Sequence, residues 1–221
     1  MVGAILTQNT AWSNVEKAIA NLKAHKMLDL KALHALDHAQ LATLIKPSGY
    51  FNIKAKRIKN LITLIMNHCS GKLDAFFAQD PASLRHQLLS VNGIGKETAD
   101  SICCYAAEKP VFVVDAYTRR ILLRHAYIEE SWDYDRIQTL FTSRLPANLH
   151  IYKDLHAYIV FVGKTFCKTR NPSCDQCPAQ ESLIPLLPKE TDKLNLPCKF
   201  RGAQDPAGTS NQRIHSMRFE G

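Results

Sequence analysis

No run of apolar residues in this chain approaches the roughly 18 that a bilayer-spanning helix needs, so no membrane segment is expected. The opening Met1-Val2-Gly3-Ala4-Ile5-Leu6 has no basic leader and runs straight into polar Thr7-Gln8-Asn9-Thr10, which argues against a secretory signal. Alternating strand patterns are scarce, and there is no internal repeat. Seven cysteines in 221 residues make an odd, loosely spread set, unlike the paired framework of a small secreted domain. These absences point to a cytoplasmic protein without a disulfide scaffold.

At 46% hydrophobic and 22% charged, the chain can bury a sizeable core, as one large domain or as two small ones that share an interface. Lysine and arginine number 28 against 20 aspartates and glutamates, a net charge of +8. Such a balance favours a polyanionic partner, nucleic acid first, although an acidic membrane surface would suit the charge alone.

Helical periodicity dominates. Trp12, Val15, Ala18, Ile19 and Leu22 recur at three- and four-residue steps, as do Ile58, Leu61, Ile62 and Ile65. Val111 to Val114 is the one β-branched run, and its four residues between Pro110 and Asp115 read as an extended connector. Breakers fall at Pro47-Ser48-Gly49, Asp80-Pro81, Asn92-Gly93, Pro146 and Asn171-Pro172, and Asp80-Pro81 suits an N-cap with proline at the first helical position. The expected fold is all-α, with eight to ten short helices. Beyond about residue 189 the periodicity disappears, and 189–221 reads as a flexible tail.

The segment Leu88-Leu89-Ser90-Val91-Asn92-Gly93-Ile94-Gly95-Lys96-Glu97-Thr98-Ala99-Asp100 carries the most information. One helix ends near Ser90, Asn92 to Gly95 turns tightly, and a second helix begins near Lys96. Glycine at 93 and 95 allows positive φ and keeps Cβ atoms away from a ligand. Backbone amides of the turn and of the helix start can then converge on one anion, with Lys96 adding charge at the mouth and Ile94 plugging the gap between the helices. This is a helix-hairpin-helix, which grips backbone phosphate without reading base sequence. Gly93, Ile94, Gly95, Lys96 and Thr98 are its candidate DNA-binding residues.

With Pro110-Val111-Phe112-Val113-Val114-Asp115 following, the chain resembles the endonuclease III superfamily of DNA glycosylases from about residue 3 to about residue 178. The resemblance implies two helical lobes with a DNA-binding cleft between them. Residues 1–18 would belong to the first helix of the second, cysteine-bearing lobe, 19–118 would form a six-helix lobe with the hairpin at 88–100, and 119–188 would complete the second lobe with a cysteine loop at 167–183. Met1 falls where the family's second helix is already under way, so a missing N-terminal helix is expected.

The resemblance also assigns roles. Asp115 takes the place of the catalytic aspartate, whose carboxylate stabilises positive charge developing on the sugar and orients a water; taken alone it would read as a helix N-cap, and it can do both jobs. Bifunctional members attack the sugar with a lysine where this chain has Glu97. Lys96 is its neighbour, but one residue turns a helix by about 100°, so Lys96 should face phosphate instead. Without that amine no Schiff base forms, and a monofunctional enzyme using water is expected. Gln8 matches a loop residue that enters the gap left by an extruded base, and Tyr50 matches a second wedge. Read alone, Gln8 is a solvated helix end and Tyr50 a core residue. Trp12, Tyr50 and Phe51 are candidate rings for sandwiching a cationic base, Glu97 shapes the pocket, and Lys164 either approaches the cleft or sits on the surface. The basic run Lys54, Lys56, Arg57 and Lys59 suits either phosphate contacts or a solvated face.

Cys69, Cys103 and Cys104 lie among aliphatic residues and read as buried thiols. Cys167-x6-Cys174-x2-Cys177 matches the first three ligands of the family's four-cysteine 4Fe–4S motif. The fourth position holds Leu183, and only Cys198, on a longer loop, could substitute. An incomplete 4Fe–4S site, a zinc site and unliganded remnant thiols all remain open. The motifs together are most similar to the branch that removes 3-methyladenine. The leading expectation is therefore a monomeric base-excision-repair glycosylase acting on double-stranded DNA that carries an alkylated purine. A bifunctional glycosylase and abasic-site lyase for oxidised pyrimidines and a noncatalytic DNA-binding protein are the alternatives.

Overall fold

The computed structural model describes residues 1–180, and every regular element among them is helical. In chain order the α-helices are α1 (Val2–Leu6), α2 (Trp12–Ala24), α3 (Leu30–Ala35), α4 (His38–Leu44), α5 (Phe51–Cys69), α6 (Leu73–Ala78), α7 (Pro81–Leu89), α8 (Lys96–Tyr105), α9 (Ala116–Arg124), α10 (Tyr134–Thr142) and α11 (Leu149–Thr165). Short 3-10 turns cover Lys46–Ser48 and Cys174–Gln176. That is one helix more than periodicity predicts, because five- and six-residue helices such as α1 and α6 are too short to show a period. None of these helices is long and apolar enough to cross a membrane.

Local chemistry sets the helix starts. Asp29, Asp37, Asp80, Asp115, Asp133 and Asn148 stand at N-caps and accept first-turn amides with their side-chain oxygens. Each satisfies donors that a helix cannot pair internally, a contribution of about 1 kcal/mol apiece. Asp80 with Pro81 behind it behaves as the sequence predicts.

Two apolar cores result. The first gathers Ile5, Leu6, Val15, Leu41, Ile58, Ile62, Leu84, Ile94 and Ile102, among others, from α1 through α8. The second gathers Phe112, Ile121, Leu122, Ile137, Phe141, Tyr152, Ile159 and Val162 from the connector and α9 to α11. Residues 1–18, expected in the second lobe, lie in the first: Ile5, Leu6, Val15 and Ala18 are completely buried there, because α1 packs on α2, α5 and α8. The second core likewise begins before residue 118, at Phe112, which stacks on Phe141 with centroids 4.0 Å apart. Of the expected second lobe, residues 181–188 lie outside the described residues, as does the tail 189–221.

A buried polar cluster joins the two cores. Asp100 of α8 is fully buried and accepts Arg85 Nε at 2.6 Å, Arg85 Nη2 at 3.2 Å, the Tyr134 hydroxyl at 2.7 Å and Gln138 Nε2 at 2.8 Å. Tyr134 Oη also accepts from the Val114 amide, and Gln138 also donates to the Phe112 carbonyl. The connector leading into Asp115 is thereby fastened to both lobes.

The basic run on α5 is mostly structural. Lys54 is 1% exposed and donates to the carbonyls of Leu6 and Ser48, at 2.8 and 2.7 Å. Lys59 closes the end of α3 through the carbonyls of Leu33, His34 and Leu36. Arg57 is engaged with Gln8, and of the four only Lys56, exposed on α5, stays available to a ligand among the described residues. Helix ends needing donors, not phosphate, account for these lysines.

Candidate active site and nucleic-acid interface

The hairpin between α7 and α8 has the geometry that its glycines predict at one position and a different one at the other. Gly93 sits at φ +94°, and a Cβ there would fall 2.3 Å from Arg57 Cγ. Gly95 has φ −91° and ψ 179°, ordinary extended backbone, and a Cβ there would meet nothing within 4 Å. Its value is open space over the amides, not conformational freedom. Ile94 is buried in the first core, as expected for a plug. No side chain caps the start of α8, so its first-turn amides point outward, the arrangement that binds an anion.

Gln8 is bound to this hairpin. Its Nε2 donates to the Gly93 carbonyl at 3.2 Å and to Thr98 Oγ1 at 2.9 Å, and its Oε1 accepts from Arg57 Nη1. Entry into a DNA gap requires it to exchange these bonds. Lys96, expected to face phosphate, is ion-paired with Asp135 of α10, which also lies 3.4 Å from Arg85. The pair is largely exposed, so a phosphate can compete for the lysine.

Asp115 caps α9. Its Oδ1 accepts the Thr118 amide at 2.7 Å and the Thr118 hydroxyl at 2.8 Å. Its Oδ2 faces His156 Nε2 of α11 at 3.7 Å. Burial works against the carboxylate, but His156, whenever its ring carries a positive charge, and the two Thr118 bonds outweigh it and hold the Asp115 carboxyl below its usual pKa. Glu97, in the first turn of α8, responds the other way: partial desolvation and the charge of Asp115 raise its pKa, with His156 opposing. Glu97 is accessible to solvent yet lies within electrostatic reach of both groups. Two carboxyls at one site are pushed apart in acidity, the pattern of sites that divide roles between them.

His156 and Tyr105 belong to no motif that would mark them in the sequence. The Tyr105 hydroxyl lies 2.7 Å from His156 Nδ1, and the two rings are tilted with centroids 5.8 Å apart. Nothing local could announce this pairing, since it spans 51 residues.

The aromatic candidates sit on the first lobe. Trp12 opens α2, is half exposed and donates to Glu16 Oε1. Tyr50 precedes α5 in the left-handed region, at φ 46° and ψ 32°, with 67% of its surface exposed. That exposure overturns the reading of Tyr50 as a core residue. Phe51 is the reverse: it packs against the first core. The ring that stands beside Asp115 and His156 is Tyr105, itself 46% exposed. Lys164 is exposed near the end of α11. An open groove lined by Asn60, Thr63, Asn67, Ser90 and Asn92 flanks the hairpin and contains no group of the Asp115 cluster.

Cys167 is buried, with its sulfur 3.2 Å from Arg124 Nη1. Arg120 and Arg124 bind the carbonyls of Gly163, Cys167, Lys168 and Thr169, stapling the cysteine loop to α9. Among the described residues no three His, Cys, Asp or Glu side chains are arranged to hold a metal. Leu183 and Cys198 lie outside them. Cys167, Cys174 and Cys177 are thus three members of the expected set, and the position that would complete it lies outside the described residues. Cys103 and Cys104 are buried, as expected, and burial pushes their thiols up to about 12 and about 11; Cys69 is half-buried.

Comparison with known proteins agrees with this geometry. Residues 2–147 match the family described as HhH-GPD superfamily base excision DNA repair protein. A protein of Methanocaldococcus jannaschii, MJ1434, provisionally named a DNA repair glycosylase, is 47% identical over 182 residues, covering 82% of each chain. The endonuclease III of Sulfolobus acidocaldarius is 28% identical over 180 residues, covering 80% of this chain and 77% of its own. Among solved structures, the 3-methyladenine DNA glycosylase MagIII of H. pylori, bound to 1,N6-ethenoadenine, is similar with a TM-score of 0.63 and 33% identity over 74% of this chain and 82% of that one. An endonuclease III–DNA complex shares the fold at 20% identity, with a TM-score of 0.69 over 80% of this chain and 78% of that one.

Proposed function

This chain belongs to the HhH-GPD superfamily of base excision DNA repair proteins, and on that premise we propose that it is a monofunctional DNA glycosylase that hydrolyses the N-glycosidic bond of an alkylated purine. The observation that carries the reading is the pair of carboxyls at the site. Asp115, held ionised with one oxygen unclaimed by Thr118, is suited to face the sugar. Glu97, and not an amine, occupies the neighbouring turn of α8.

The reaction follows from that arrangement. The outward amides at the start of α8 hold a phosphate beside the damaged nucleotide, which leaves the stack at a cost of a few kcal/mol. Alkylation makes the purine cationic, so it departs as a neutral base when the C1′–N bond breaks and its electron pair goes to nitrogen. Positive charge then develops on the deoxyribose, where the Asp115 carboxylate stabilises it. Water adds to C1′ and the abasic sugar remains. Glu97 places further negative potential beside a cationic base, and with no lysine at its position the sugar is not captured as a Schiff base. The 3-methyladenine activity named for the H. pylori relative supports the choice of lesion.

The test is base release from duplexes that each contain 3-methyladenine, ethenoadenine, thymine glycol, uracil or a G·T mismatch. Release of alkylpurines, with no borohydride-trapped adduct and with loss of release but retained DNA affinity in Asp115→Asn, is expected. Release of thymine glycol with a trappable adduct would establish the lyase alternative, and no release from any duplex would leave a DNA-binding protein.

A further inference from the structure

His156 is half-buried on α11, and its Nε2, itself out of contact with solvent, has no hydrogen-bond partner among the described residues although it lies 3.7 Å from Asp115 Oδ2. A buried ring nitrogen left unpaired is costly, by about the desolvation of one polar group, and native sites rarely retain one without use. The other nitrogen is not idle: Nδ1 is held at 2.7 Å by the Tyr105 hydroxyl, which fixes the ring plane. Oδ1 of Asp115 is fully taken by Thr118. Two unclaimed atoms, Oδ2 and Nε2, therefore face one small space. A separation of 3.7 Å is too long for a direct hydrogen bond, but both atoms can accept from one water at ordinary hydrogen-bond distances.

We propose that His156 is a catalytic residue of this site: with Asp115 it holds the attacking water, and its Nε2 takes the water's proton. The inference rests on the glycosylase reading and assigns the base that such a site needs. In the step, the water oxygen forms a bond to C1′ as the C1′–N bond breaks. The electron pair of the broken bond leaves with the purine, and one water proton moves to Nε2. The imidazolium so formed lies beside the Asp115 carboxylate, which stabilises it once the sugar's positive charge is gone. Tyr105 is a positioning residue. It accepts from Nδ1–H and so keeps Nε2 as the acceptor, in the way that the partner of one ring nitrogen sets the role of the other. The groups facing the imidazole are Asp115 from the start of α9 and Glu97 and Tyr105 from α8. Both carboxylates favour the cation that the step produces.

The experiment measures single-turnover base release and duplex affinity for the wild type, His156→Ala, His156→Gln and Tyr105→Phe, using the lesion that the wild type releases fastest. If the wild type releases another base than an alkylpurine, the choice of lesion fails while the role of His156 is still tested; if it releases none, the glycosylase reading itself fails. We expect His156→Ala to lose about 100-fold in rate, within the range of general-base contributions, with its duplex Kd unchanged within about twofold. Added imidazole should restore at least tenfold of that loss, which a merely structural role would not permit. Tyr105→Phe, which keeps the ring, should lose about fivefold to tenfold and should not respond to imidazole. Release by His156→Gln at the wild-type rate would overturn the proposal. So would a loss in His156→Ala that imidazole leaves untouched. Should the alanine variant not fold, an unaltered rate in Tyr105→Phe would overturn it.

Discussion

Thr118 binds a single oxygen of Asp115 with both its amide and its hydroxyl, so that Oδ2 alone is left toward the cleft. Thr118 is fully buried, and valine would fill its space without the hydroxyl. Thr118→Val should cost about 1 to 2 kcal/mol at pH 7, the scale of a hydrogen bond to a charged group. The sign follows from the depressed pKa of Asp115. The stabilisation is fully present above the unfolded carboxyl value of about 3.9 and is lost as pH falls through the lower folded value. The gap in stability between wild type and variant should therefore narrow as melts are repeated from pH 7 toward pH 3. An equal gap at both ends would show that packing, not charge, is what threonine contributes.

Asp100 and Asp135 both contact Arg85, but only Asp100 is buried. Asp100→Asn leaves the guanidinium without its buried charge partner and disturbs Tyr134 and Gln138 together. A cost of about 3 to 5 kcal/mol in urea unfolding is expected. Asp135→Asn, at a site that is half exposed, should cost less than about 1 kcal/mol. Because Tyr134 and Gln138 also hold Val114 and Phe112, a folded Asp100→Asn protein should release base more slowly. Comparable destabilisation by the two substitutions would remove the cluster's claim to couple the lobes.

The features legible in the sequence are those written locally. The hairpin is a turn fixed by Gly93 and a plug at Ile94, both set within a few residues, and Asp115 announces itself as a cap at the end of an apolar run. The helix-capping aspartates are local in the same sense. His156 and Tyr105 are not, since their meeting depends on how α8 and α11 approach, and a lone histidine within an apolar helix looks like any core residue. Lys54 and Lys59 mislead for a related reason. A lysine that closes a carbonyl end of another helix has the same sequence appearance as one waiting for phosphate. Residues 1–18 pack with the first core because α1 is too short to bury both faces except against α2, α5 and α8.

The cysteine loop owes its shape to α9. Arg120 and Arg124 together donate to four carbonyls of residues 163–169, and Arg124 also reaches the Cys167 sulfur. A metal-dependent loop would melt when its ion is removed, since binding energy at such sites is folding energy. If these arginine contacts suffice to hold the loop, exposure of the purified protein to a strong chelator should change neither its melting temperature nor its rate of base release. Arg124→Ala should lower the melting temperature with or without the chelator. Absorbance near 400 nm with about four irons and four sulfides per chain, lost together with stability on chelation, would assign the loop to a cluster instead.

The two hairpin glycines separate folding from DNA binding. At Gly93 an added Cβ meets both a left-handed φ and the Arg57 side chain at 2.3 Å. Arg57 would have to leave Gln8, which in turn bonds Gly93 and Thr98. Gly93→Ala should therefore lose roughly 2 to 3 kcal/mol of stability through backbone strain and the displaced arginine, and DNA affinity with it. At Gly95 the backbone is extended and the space for a Cβ is empty, so Gly95→Ala should fold within about 1 kcal/mol of wild type. Its methyl nevertheless stands over the amides that would hold phosphate. DNA affinity should fall, and the slope of log K against log salt should become shallower by about one unit, as expected when the protein neutralises one phosphate fewer. A Gly95→Ala protein with wild-type affinity and slope would mean that the strand is held elsewhere than at the start of α8.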